Sequence, residues 1–154
     1  MCRIVKFILV ASILFSLLID MGPKIVNAQE HFDNYGAISW ENEKARLDNY
    51  SIQLHHEKAL IGYIFVFAQN GECPGEAQAR AIRAKRYIVD QRGVPWNQVI
   101  WRVEGYRQDL TTILQIVPPG TNFSYPFYSA TGGKDGPLTK RCKTRLKGIA
   151  NSRW

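Results

Sequence analysis

The stretch that decides the fold is YIFVFAQNGECPGEAQARAIRAKRYIVDQ, residues 63–91. Residues 63–68 form a nearly all-apolar run of aromatic and β-branched side chains, which predicts a strand buried on both faces. A turn rich in glycine follows at 69–75. Residues 76–91 then predict a helix, because small or apolar side chains recur on one face and allow close packing on a sheet. The members of this face are Ala77, Ala81, Ala84 and Ile88.

The flanking sequence extends this pattern in both directions. Upstream, Tyr35–Trp40 is a short strand candidate, and Glu41–Glu57 predicts a helix whose acidic first turn suits the helix dipole. Downstream, Val99–Val103 and Thr111–Val117 predict two further strands. The order β-α-β-α-β-β predicts a two-layer α/β sandwich, with helices on one or both faces of a mixed sheet.

Residues 1–28 predict a cleavable secretory signal peptide. Arg3 and Lys6 precede an apolar run from Phe7 to Ile19, and Ala28 ends a suitable cleavage site. The alternative is an uncleaved membrane anchor, but a spanning helix needs about 20 apolar residues and this run is shorter. We therefore expect an exported protein without a stable transmembrane span after cleavage.

The mature chain would contain two cysteines, Cys73 and Cys142. An even number of cysteines in an oxidising compartment is compatible with a disulfide. Spacing along the chain does not show whether the two residues are close, so two separate thiols are an equally open interpretation.

The positive charge is concentrated in a C-terminal tail, residues 118–154. Residues 29–117 hold ten Lys/Arg and eleven Asp/Glu, a net of −1, whereas the tail holds seven basic residues and one acidic residue, a net of +6. The tail begins with two prolines and a glycine, and its further glycines predict a partly disordered segment rather than a packed continuation. Its aromatic residues indicate contact with the domain or with a partner; they are Phe123, Tyr125, Phe127 and Tyr128.

Two stretches resemble the C-terminal peptidoglycan-binding domain of OmpA-like proteins. In EAQARAIRAKRYIVDQRGVPWNQVI (76–100), Arg80-Ala81 falls at the family's arginine-alanine motif, Tyr87-Ile88 at its tyrosine-leucine pair and Arg92-Gly93-Val94 at its link to the next strand. FDNYGAISWENEKARLDNYSIQL (32–54) resembles the family's opening strand and helix. The resemblance covers 32–117 and implies an OmpA-like domain at 29–117.

The resemblance also implies a ligand site. In that family an aspartate after the second strand and the motif arginine clamp the diaminopimelate of the peptidoglycan stem peptide. Arg80 takes the arginine position and can bind a carboxylate through two hydrogen bonds. Asn70 stands at the aspartate position, and its neutral amide would hold an ammonium less strongly, by about 1–2 kcal/mol. The other interpretation of Arg80 is a helix arginine paired with Glu76.

Enzymatic and metal sites have little support in the sequence. Among the three histidines, His55 and His56 are adjacent and would point about 100° apart on a helix, so they do not form a metal-binding pair. Cys73 precedes a predicted helix, a setting that lowers a thiol pKa, but the sequence assigns it no histidine partner. We expect no cofactor, no metal and no catalytic residues.

These observations predict a non-enzymatic protein of the periplasm or outer membrane that binds peptidoglycan weakly or in an altered way. One alternative is a structural or interaction module that has lost the ligand clamp. Another is a polyanion binder acting through the basic stretch KRCKTRLK (140–147), with an acidic polysaccharide or anionic lipid as ligand. Nucleic acid is not an expected partner of an exported protein.

Overall fold

The computed structural model describes residues 32–123 and 139–151. The predicted signal peptide at 1–28, the middle of the tail and the aromatic residues Tyr125, Phe127 and Tyr128 lie outside the described residues. The described helices and strands are β1 (Asp33–Tyr35), α1 (Trp40–His56), β2 (Ile61–Gln69), α2 (Glu76–Arg86), β3 (Val99–Arg107), β4 (Thr111–Val117) and α3 (Lys140–Ala150). A π-helical turn, Tyr87–Gln91, continues α2, and a 3-10 turn, Trp96–Gln98, precedes β3.

The strands form one mixed sheet in the order β1-β4-β2-β3. β3 runs parallel to β2, whereas β4 is antiparallel to both β2 and β1. The parallel pair is joined by α2, the crossover that parallel strands require. The predicted α/β class with a mixed sheet is therefore confirmed.

The first strand differs from its prediction at Tyr35–Trp40. β1 ends at Tyr35, opposite Thr112 of β4, and Trp40 already belongs to α1. The reason is the helix cap: the Ser39 hydroxyl accepts a hydrogen bond from the Asn42 N–H at 3.3 Å. A serine N-cap fixes the helix start, so the residues before it serve as the connection to the helix.

Both α1 and α2 pack on the same face of the sheet. Their buried apolar residues form one cluster with Ile64 and Val66 of β2. The helix members of this cluster are Leu47, Tyr50, Leu54, Ala77, Ala81, Ala84 and Ile88. Gly62 permits the close approach of α1, since a Cβ atom there would lie 2.5 Å from the Tyr50 hydroxyl.

The opposite face of β2 is also buried, as the apolar run predicts. Phe65 and Phe67 are fully or almost fully buried there and cluster with Ile113 of β4. Phe123, from the start of the tail, packs edge-on against Tyr63 and Phe65 with ring centroids 4.7 and 4.9 Å apart. This part of the tail thus folds back onto the domain.

A buried ion pair joins the two helices. Arg83 of α2 donates to the Glu43 carboxylate of α1, which also accepts the Tyr35 hydroxyl at 3.2 Å. The Arg83 guanidinium lies 4.2 Å from the centre of the Trp40 ring. Contacts with Glu43 and Trp40 of α1 cover Arg83, so its charge is buried.

The last described segment of the tail is a packed helix, which differs from the predicted loose tail. Thr139 caps α3 by accepting a hydrogen bond from the Cys142 N–H at 3.2 Å, and Ile149 is buried against the domain. The residues that break regular structure precede Thr139, so they do not prevent a helix at 140–150. None of the helices that the structure describes is long and apolar enough to cross a membrane.

Candidate functional site

Arg80 lies in the second turn of α2, where its guanidinium group forms an ion pair with a neighbouring carboxylate. Its Nη2 and Nε atoms donate to Glu76 Oε1 at 2.9 and 3.3 Å, and its Nε lies 3.8 Å from Glu72 Oε1. The Glu76 side chain is fully buried and that of Arg80 is 16% exposed. The geometry therefore matches the helix pair with Glu76, and an external carboxylate would have to bind the remaining N–H groups of Arg80.

A second arginine reaches the same carboxylate from α3. The Arg145 Nη2 atom lies 2.8 Å from Glu76 Oε1, the atom that Arg80 also contacts. Beside this contact the structure joins Cys73 and Cys142 in a disulfide, with the Cα atoms 5.5 Å apart. The bridge and the ion pair together hold α3 against the start of α2, and the bridged Cys73 has no thiolate for nucleophilic chemistry.

The Glu72 carboxyl group completes this cluster. Its Oε2 accepts the Gln69 N–H at 3.1 Å, and its side chain is only 5% exposed. Burial raises the pKa of Glu72, and the negative charge of Glu76 raises it further, against the opposing effects of the Gln69 N–H and of Arg80. Two carboxylates and two arginines thus neutralise one another in a site closed by a covalent bond.

Asn70, the expected partner of Arg80, has no hydrogen bond with this cluster among the described residues. It is exposed in the turn after β2, and its backbone N–H donates to the Arg107 carbonyl at 3.1 Å. Within the described residues, no hydrogen bond links the Asn70 side chain to Arg80. The structure therefore brings Arg80 together with Glu72, Glu76 and Arg145 rather than with Asn70.

The exposed surface of α3 is strongly basic. Its exposed cations without a carboxylate partner among residues 32–123 and 139–151 are Lys140, Arg141, Lys143 and Lys147. Cys142, Leu146 and Ile149 occupy the less exposed side of the same helix. Two of the cations lie in the first turn, where the positive end of the helix dipole disfavours them. Helix stability alone does not account for this arrangement.

The histidines do not form a metal site in the described part of the chain. The His55 Nε2 atom lies 2.8 Å from the Arg92 carbonyl oxygen, so this ring connects α1 to the end of the π-helical turn. His56 is exposed. No group of three or more histidine, cysteine or acidic residues is arranged for a metal ion among the residues that are described.

One signal for the Arg145 contact is present in the sequence. Glu76 follows Cys73 by three residues, and Arg145 follows Cys142 by three residues. If the cysteines are joined and both segments are helical, the two opposite charges lie one helix turn from the bridge on neighbouring helices. The spacing gains this meaning only once the disulfide is known.

Comparison with protein-family models, with curated proteins and with solved structures finds no match for this chain.

Proposed function

We propose that the chain is an exported, non-enzymatic module of the periplasm or outer membrane that binds an anionic envelope polymer through α3. The observation that carries the proposal is the row of exposed cations on a helix that a disulfide fixes to the domain. Clustered like charges raise the local potential and attract a polyanion. A tethered helix also loses less conformational freedom on binding than a free tail would.

Three features of the chain support the cellular location. The N-terminal sequence has the pattern of a secretory signal, and disulfides persist in oxidising compartments. The element order agrees with the OmpA-like resemblance, whose arrangement we propose for the domain. In that compartment peptidoglycan is the obvious polymer, since its stem peptides carry carboxylates.

We place the ligand contact on α3 rather than on Arg80. Arg80 already donates through Nε and Nη2 to Glu76 Oε1, so a stem-peptide carboxylate would have to use its remaining N–H groups, close to the negative charges of Glu72 and Glu76. Repulsion from these two carboxylates weakens the binding of an anion there. The exposed cations of α3 have no carboxylate partner among the described residues, so they carry no such penalty.

Cosedimentation with purified peptidoglycan tests the proposal. The double variant Lys143→Gln/Lys147→Gln removes two exposed charges from one side of α3, and we expect about tenfold weaker binding or more, falling further as salt is added. Lys58→Gln/Arg102→Gln removes the same charge from exposed positions elsewhere and is expected to bind like the wild type.

Three outcomes decide between the functions. Loss of binding in the α3 variant alone supports the proposal. Loss on Arg80→Ala with normal binding by the α3 variant would support the stem-peptide clamp instead. Absence of binding by the wild-type protein, or equal binding to vesicles of anionic lipid, would overturn the polymer as ligand.

A further inference from the structure

An open groove of about 240 Å³ lies beyond the C-terminal half of α2, away from the disulfide. α2 and the π-helical turn contribute residues at positions 82, 85, 86 and 89, which share one side of the helix. The other wall comes from Trp96 in the 3-10 turn and Trp101 in β3. The groove is therefore built from four consecutive parts of the fold and uses none of the residues of α3.

Trp96 is the most exposed large hydrophobic side chain described, at 71%. Trp101, by contrast, is partly buried and packs against the main core, which holds one wall of the groove in place. Exposing an indole to water is unfavourable, so a ligand that covers the free face of Trp96 gains hydrophobic and stacking energy. The groove thus offers the partly buried Trp101 as one wall and the largely exposed Trp96 as the other.

The rim of the groove is polar and mainly cationic. The Lys85 Nζ atom lies 3.9 Å from the centre of the Trp96 ring, in a cation–π contact, and Arg86 is exposed beside it. Neither cation has a carboxylate ion pair within the described residues. Burial lowers the pKa of Lys85, which indicates that its ammonium group is incompletely hydrated. An anionic group of a ligand would restore the lost solvation.

The π-helical turn supplies Val89 and Asp90 to the groove. Such turns recur at functional sites because they change the direction of side chains within a helix. This one is anchored from behind: the Tyr87 hydroxyl donates to Asp48 Oδ1 at 2.7 Å, and Arg92 Nε donates to the same atom at 2.6 Å. Asp90 is thus held at the rim, where its carboxylate can accept a hydrogen bond from a ligand hydroxyl.

We infer that this groove is a glycan-binding site that takes a single acidic sugar residue, stacked on Trp96 with its carboxylate toward Lys85 and Arg86. The apolar C–H face of a pyranose ring matches the uncovered indole, and the hydroxyl groups match Asp90. The volume lies below the roughly 300–1,000 Å³ of sites for drug-sized ligands, which fits one ring rather than a longer chain. The excess of cations over Asp90 selects an acidic ring over a neutral one.

Titration with methyl galacturonide, a single acidic sugar residue, followed by tryptophan fluorescence and ligand-observed NMR, tests this inference. We expect binding by the wild-type protein, and about tenfold weaker binding by Trp96→Ala. Trp96→Phe should keep part of the affinity, since a smaller ring remains. Lys85→Met should bind acidic and neutral sugars more equally. Because Trp96 and Lys85 are surface residues, circular dichroism should show all variants folded.

Two controls separate this site from α3. Ile52→Ala changes another exposed apolar residue, 55% exposed on α1, and should leave binding unchanged. Lys143→Gln/Lys147→Gln should also leave it unchanged, so failure of the polymer proposal would not affect this result. Equal affinity of Trp96→Ala and wild type, equal binding of neutral methyl galactoside, or no binding at all would overturn the inference.

Discussion

The carboxylates near the two ends of α2 are paired in different ways. At the start of the helix, Glu72 and Glu76 lie against each other and share two arginines. Beyond the far end, the carboxylate of Asp48 in α1 pairs with a single arginine. Arg92 donates to both of its oxygens, at 2.6 and 2.8 Å. Burial, together with the negative charge of Glu76, raises the pKa of Glu72, whereas hydrogen bonds from Arg92 and Tyr87 outweigh burial at Asp48 and lower its pKa.

The difference shows what each end is built for. The crowded start holds like charges that would repel one another, and it is closed by a disulfide and by Arg145 from another helix. At the far end, one carboxylate pairs with one arginine without a covalent bond, and Trp96 and Lys85 are left open to solvent. We therefore assign fixation of α3 to the first end and ligand access to the second.

Removing the disulfide should have the largest effect. The double variant Cys73→Ser/Cys142→Ser loses a bridge between residues 69 apart, which constrains the unfolded chain. Loop-closure entropy predicts a loss of about 4 kcal/mol in the free energy of unfolding, measured by urea denaturation. Limited proteolysis should then cut at the basic residues of α3.

The single variant Cys142→Ser controls for the serine hydroxyls that the substitutions introduce. It loses the same bridge but introduces only one serine. It should unfold at nearly the same urea concentration as the double variant. A wild-type midpoint in either variant would show that the bridge does not stabilise the fold.

Glu76→Gln should have the next largest effect, because one buried carboxylate serves two arginines. The arginine side chains are 16% and 50% exposed and can turn partly to water, so we expect a loss of about 1–2 kcal/mol rather than the full cost of a broken buried pair. Glu41→Gln is the matched control, since the 76% exposed Glu41 forms a surface pair with Lys44. Equal denaturation midpoints for the two variants would contradict the assigned role of Glu76.

The smallest effects are those of pH, and their signs differ at the two ends. The folded pKa of Glu72 is raised above 4.5, first by burial and then by Glu76. Its stabilising contribution is therefore complete below the unfolded pKa and is lost as the pH rises through the folded pKa. Glu72→Gln should gain stability relative to the wild type as the pH rises from the unfolded pKa through the folded pKa of Glu72.

The contribution of Asp48 to stability should change with pH in the opposite direction. Burial alone would raise its pKa, but hydrogen bonds from Arg92 and Tyr87 outweigh burial and lower it below 3.8. Its contribution is present above the unfolded pKa and is lost as the pH falls through the folded pKa. The loss caused by Asp48→Asn should accordingly be greatest near neutral pH and shrink in acid, as urea denaturation across pH would show. If the stability differences of both variants from the wild type changed with pH in the same direction, the contrast between the two ends would not hold.

Local pattern predicted most of the α/β domain. The apolar run at 63–68 lies within β2, and the small-residue face of α2 packs on the sheet, because periodicity reflects which side of an element is buried. The boundary of β1 was wrong because a single serine cap outweighed strand propensity before Trp40. The helix at 140–150 was not predicted, because the prolines and glycines that precede it dominated the composition of the tail.

The site was less accessible to prediction than the fold. The sequence identified Arg80 and its helix partner Glu76, four residues apart, but left the choice between this pair and an external ligand open. The structure shows the pair with Glu76, and the contact of Arg145 with the same carboxylate joins residues that only folding brings together. Trp96 and Trp101 gave no signal in the sequence, because a groove depends on how the π-helical turn and β3 are placed.

The sequence by itself determined the alternation of strands and helices, the buried faces of β2 and α2, and the concentration of positive charge in the tail. Only the tertiary structure decided that Cys73 bonds to Cys142, that Arg80 is already paired, and that the basic segment is a fixed helix. The physical reason is that burial periodicity is written in neighbouring residues, whereas proximity across 69 positions depends on how the elements pack.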